Sequence, residues 1–157
     1  MEGYYHAYMA VLVSVHDNLK QLVELTQKEN ESVQDDDLAA LNEILNKEQA
    51  IALTLRGLEQ KRELLLVEMG LTNVPLSQLA GHFPAELRDE ITQIAEDLVK
   101  ESRRYSACSK ETRSLLQHTL REIERTLSIL GVEPAVGTGY KPHDGEPALP
   151  MKTDFRA

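Results

Sequence analysis

Residues 41–69 read LNEILNKEQAIALTLRGLEQKRELLLVEM, and one spacing runs through the whole stretch. Leu41, Ile44, Glu48, Ile51, Leu55, Leu58, Arg62, Leu65 and Met69 step alternately by three and four residues. All but Glu48 and Arg62 are apolar, which puts one seam along a helix in heptad phase, the pattern of coiled-coil-like pairing. The two polar interruptions either fix register or lie at the seam's edge. Gly70 follows, a residue that accepts the positive φ of a helix C-terminus. A helix of this kind cannot bury its stripe alone, so the flanking chain must supply partners.

The upstream partner is legible. Tyr5, Tyr8, Leu12, Val15, Leu19 and Leu22 form a second seam at the same alternation. The polar run QKENESVQDDD, residues 27–37, interrupts it, and its acids suit the start of the next helix by capping free amides and complementing the dipole. Downstream, LTNVPLSQLAGHFPAE (residues 71–86) is a linker with room for one helical turn at Leu76–Leu79. Pro84 fits the first position of a third helix, where its missing N–H costs nothing.

That third pattern runs from Pro84 to Leu130 without a Gly or a further Pro, so it predicts one helix roughly 70 Å long. Leu87, Ile91, Ile94 and Leu98 make its first stripe. A polar middle, KESRRYSACSKETRS (residues 100–114), separates it from a second stripe of Leu116, Leu120, Ile123, Leu127 and Leu130. Gly131 ends the pattern. Residues 132–157 are rich in Gly and Pro and lose all periodicity, and such a segment cannot offset the entropy of ordering it. The expectation is an all-α protein: an elongated, antiparallel, coiled-coil-like bundle of three main helices over residues 1–131. The first two pair and the third packs across them, with a disordered tail over 132–157.

Composition supports helices and excludes several functions. The apolar share is 41% but aromatics are only 4%, with no Trp, a mixture that suits helix packing better than a sheet core. A net charge of −9 argues against nucleic acid as a partner, because that binding needs clustered Lys and Arg. No apolar run approaches the roughly 20 residues that span a bilayer. The start MEGYYHAYMAVLVSVHDNLK lacks the marks of a signal peptide, and the expected location is the cytoplasm.

Chemistry-bearing patterns are sparse. His6, His16, His82, His118 and His143 have no zinc spacing, and Cys108 has no neighbouring base, so no metal, cofactor or catalytic residue is expected. Most carboxylates read as solvated faces paired with Lys or Arg; Glu59 and Glu63 beside Arg62 are an example. The stripe from Leu116 to Leu130 stands apart. It lies beyond the polar middle, where it either completes the core or forms a face that seeks a groove on another protein.

The segment LAALNEILNKEQAIALTLRGLEQKRELLLVEMGL (38–71), the helix LLQHTLREIERTLSIL (115–130) and the tail element GYKPHDG (139–145) together resemble the FlgN family of flagellar export chaperones. The family's tail element is Tyr-Gly-x-x-Gly; here Lys141 and Pro142 follow Tyr140, and the next Gly comes one residue later. The resemblance implies a chaperone, not an enzyme. It would bind hook–filament junction proteins by their helical ends, prevent premature assembly and deliver them to the type III export gate. It also implies docking of Tyr140 on the export-gate protein FlhA, and the apolar stripe of Leu116, Leu120, Ile123, Leu127 and Leu130 is the expected client site.

Two other readings use the same residues. A self-associating coiled-coil scaffold would use the same stripes without a client, since they permit a folded-back monomer or a homodimer. A helical phosphotransfer domain with His118 as acceptor would need a Lys and a small residue just after the His, and QHTLRE (117–122) offers neither.

Overall fold

The structure, a computed structural model, describes residues 2–131. Three long helices dominate: α1 (Glu2–Gln34), α2 (Leu38–Met69) and α4 (Arg88–Ile129). The short α3 (Leu76–Leu79) lies in the 71–87 connector, followed by 3-10 turns at Ala80–His82 and Ala85–Leu87. The chain forms an all-α bundle, as its spacing requires, and among the described residues there is no strand.

Each helix stops for a local reason. Asp37 caps α2, its Oδ1 accepting the Ala40 amide at 3.1 Å. The α1–α2 turn is only three residues long, so the run 27–34, which looks like an interruption in the sequence, is instead the last two turns of α1. Gly70 takes φ 69° and returns its amide to the α2 carbonyls of Leu66 and Val67, and Gly131 ends α4 at φ 74°. Pro84 sits before the second 3-10 turn, and α4 begins at Arg88, four residues later than Pro84 suggests.

The bundle runs up, down, up. α2 returns antiparallel to α1, and the connector brings α4 back to the start of α1, where Phe83 packs on Tyr5 and Tyr8 at ring distances of 4.8 and 6.1 Å. α4 then climbs parallel to α1, and its Thr112 hydroxyl bonds to Asn30 Oδ1 across the seam. The third helix therefore packs along α1 and does not cross both partners; α1 is the central element, close to both α2 and α4. Its buried apolar positions, from Val11 round to Met9, cover an arc of roughly 160° at 100° per residue.

The core follows the seams. Tyr8, Leu12, Val15, Leu19 and Leu22 of α1 meet Leu55, Leu66 and Met69 of α2, then Ile91 and Leu98 of α4, with Leu79 and Phe83 closing the base. All nine heptad positions of α2 are buried or half-buried, Glu48 and Arg62 included. Burying one such Leu or Val contributes about 1.5–3 kcal/mol relative to leaving it exposed.

Candidate functional site

The helix α4 carries one continuous seam, and among the described residues its first part packs along α1. Ile91, Ile94, Leu98, Glu101, Tyr105, Cys108 and Thr112 step by three and four along α1, and every one is buried or half-buried. The same face continues through Leu116, Leu120, Ile123, Leu127 and Leu130. The Thr112–Asn30 bond sets the register: Gln34, the last residue of α1, lies level with about residue 116 of α4. The remaining thirteen or so helical residues extend past the α1–α2 turn by about 20 Å.

Exposure changes at that point. Thr112 is the last buried residue of the chain's described part. Leu116 is 41% exposed, Leu120 44%, Ile123 51% and Leu130 70%, while Leu127 is half-buried. These five residues lie on one face, and among the described residues four of them stay exposed. Ile129, at the helix end, is exposed as well. Tyr140 falls outside the described residues.

Beneath this arm lies a polar layer that spans all three helices. Thr26 and Glu29 continue the α1 seam in phase after Leu19 and Leu22, and both are buried. Glu48 of α2 faces them, its Oε1 accepting the Thr26 hydroxyl at 3.5 Å. Burial, reinforced by the hydrogen bond and charge of Glu29, pushes the Glu48 carboxyl up to about 8, so near neutral pH it holds a proton between the two helices. From α4, Tyr105 enters the same layer; burial raises its phenol pKa, and the charges of Glu48 and Glu29 add to this. Glu101, also buried, offers Oε2 to Arg104 at 3.5 Å and leaves Oε1 without a partner.

The layer was visible only in part. The phase 19, 22, 26, 29 is readable in the chain, but polar residues at the last two positions look like solvated surface until a third helix covers them. Glu59 is a further correction. It is a buried partner of Arg62 at 2.9 Å and not part of a solvated face, whereas Glu63 is exposed.

His118 is exposed beside Glu122, His16 lies beside Asp17, and Cys108 is a half-buried free thiol in the α4 seam. Among the described residues no cluster of three or more His, Cys, Asp or Glu could hold a metal ion, and no helix is long and apolar enough to cross a membrane.

Comparison with curated proteins finds no match, and neither does comparison with solved structures. The model of the FlgN protein family, however, matches residues 1–147, from the first helix through Tyr140. A match over nearly the whole chain carries the uncovered arm and the bundle beneath it together: the chain belongs to the FlgN family of flagellar export chaperones.

Proposed function

We propose that this chaperone works in the cytoplasm, where it binds hook–filament junction proteins on the arm of α4, keeps them from assembling early and delivers them to the export gate. One observation supports the client site above all: the α4 seam keeps its apolar phase for about 20 Å beyond the end of α1, where Leu116, Leu120, Ile123 and Leu130 stay exposed among the described residues. A client helix laid on Leu116, Leu120, Ile123, Leu127 and Leu130 would take the place that α1 holds lower down, burying its own apolar face in the i, i+3, i+4, i+7 manner. Each side chain fully buried in this way contributes up to about 1.5–3 kcal/mol toward binding, against the cost of ordering the client.

Tyr140, outside the described residues, is assigned to docking on FlhA. A Tyr presents a large apolar face and a hydroxyl with few rotatable bonds, which suits an anchor. It lies nine positions past Gly131, enough to place the two contacts on different partners.

Titration of the full chain with the C-terminal helical segment of a junction protein tests the client site. Ile123→Ser with Leu127→Ser should abolish binding and leave the helical circular dichroism of the bundle in place. Unchanged affinity in that variant refutes the site. Tyr140→Ala should leave the same affinity intact and lower client export; normal export, or lost client binding, refutes the assignment of the tail.

A further inference from the structure

A groove of about 680 Å³ opens at the other end of α4, between its first half and the α3 corner. Leu76, Ala80, Ile91, Ala95 and Val99 form its apolar floor. Thr92, Ala95 and Val99 follow the helical spacing of one α4 face, and small side chains at such positions let a second helix approach closely. The size lies within the range of clefts that take several side chains of a ligand.

The rim has a sign. Lys100, Arg103 and Arg104 stand at one end, with Glu96 the single acid of the lining. Arg104 reaches Glu101 at 3.5 Å, whereas Lys100 and Arg103 join no ion pair among the described residues. On a chain with net charge −9, an apolar floor ending in two cations that pair with no described residue is a local reversal. Two cations are too few for nucleic acid, whose affinity rests on many phosphate contacts.

We propose that this groove is a second docking site, which takes an acidic amphipathic helix of a partner protein. Its apolar anchors lie over Ala95 and Val99, and its carboxylates meet Lys100 and Arg103. Val99 and Leu116 are seventeen residues apart on one helix, about 25 Å, so the groove and the arm can be occupied together. The chaperone then holds two proteins at once by opposite halves of α4.

Two fluorescent 16-residue peptides test this on the full chain. Both carry Leu at i, i+3, i+4 and i+7; one has Glu at its remaining positions and the other Lys. Net charge alone favours the Lys peptide, whereas the groove favours the Glu peptide, by about fivefold for two exposed ion pairs. Lys100→Ala with Arg103→Ala should erase that preference, and Lys100→Glu with Arg103→Glu should invert it. Ile123→Ser with Leu127→Ser should leave it in place. Equal or tighter binding of the Lys peptide to the native chain overturns the proposal, as does a preference that survives the changes at Lys100 and Arg103. Tighter Glu-peptide binding after Asp154→Lys with Phe155→Ala would assign the groove to the chain's own C-terminal segment. Self-association abolished by Arg103→Glu would assign it to a second copy. Either result overturns the partner assignment.

Discussion

Arg62 donates from Nη1 to the hydroxyl of Tyr8 at 3.1 Å, joining residues 54 apart in sequence across the α1–α2 seam. The other side of the guanidinium grips Glu59, with Nε to Oε2 at 3.0 Å and Nη2 to Oε1 at 2.9 Å. Burial alone would disfavour the cation, but Glu59 and Tyr8 outweigh it and hold Arg62 more firmly protonated than usual. Every atom of the bidentate pair is committed, so the polar break in the heptad pattern locks α1 and α2 in one register.

Removing one member should therefore cost more than removing all of them. Arg62→Ala leaves the Glu59 carboxylate buried and alone, a loss of about 3–5 kcal/mol in chemical denaturation. Tyr8→Phe removes one hydrogen bond and should cost about 1 kcal/mol. Arg62→Met with Glu59→Gln should recover most of the stability that Arg62→Ala loses. A double variant as weak as the single would show that the loss comes from packing and not from the stranded charge.

Glycine has opposite value at two places on α2. Gly57 lies mid-helix with open space around its Cα, so Gly57→Ala removes unfolded-state freedom and should stabilise by about 0.5–1 kcal/mol. Gly70 also has open space, but its φ of 69° strains any L side chain, and Gly70→Ala should destabilise by about 1 kcal/mol. Paired thermal melts against the parent read both signs at once.

The heptad of residues 41–69 made the α1–α2 pair legible, because a stripe that long needs one antiparallel partner and a three-residue turn provides it. The central place of α1 was not legible. Met9, Val11 and Val23 lie off its single-seam phase, toward the edges of an arc that needs a helix on either side, and look incidental until α1 has two neighbours. The arm was half legible: its apolar spacing is plain in the sequence, but whether Leu116–Leu130 has a partner depends on where α1 ends. The sequence pattern breaks at Gln27, but the polar run 27–34 is helical and carries α1 to Gln34. The groove at Ala95 had no sequence signal, since it depends on α3 folding back beside α4.

The polar layer gives stability a pH dependence with a defined sign. Glu48 titrates at about 8 in the fold against an ordinary value of 4.5, so the unfolded chain releases this proton first. The contribution of Glu48 is fully present below pH 4.5 and is lost as pH rises through 8. The groups facing it are Glu29 and Thr26 on α1 and Tyr105 on α4. Glu48→Gln keeps a donor for Glu29 and an acceptor for Thr26 without the titration. Urea midpoints between pH 6 and 9 should fall more steeply for the parent than for the variant, and parallel curves would remove Glu48 as the cause.

The two halves of the α4 seam should respond differently to the same change. Leu98 is fully buried between the helices, and Leu98→Ala removes packing that the bundle cannot refill, at a cost of about 2–5 kcal/mol. Leu120 and Ile123 have the same helical phase but about half of their surface in water, so Leu120→Ala and Ile123→Ala give up little that folding gained. Each should change stability by no more than about 0.5 kcal/mol, the range of ordinary surface substitutions. With a saturating client segment present, the contrast should shrink: the arm residues become buried, and their truncation then lowers the stability of the complex. Equal costs at Leu98 and Ile123 in the free chain would mean that the arm is already packed, and the free face on which client binding depends would not exist.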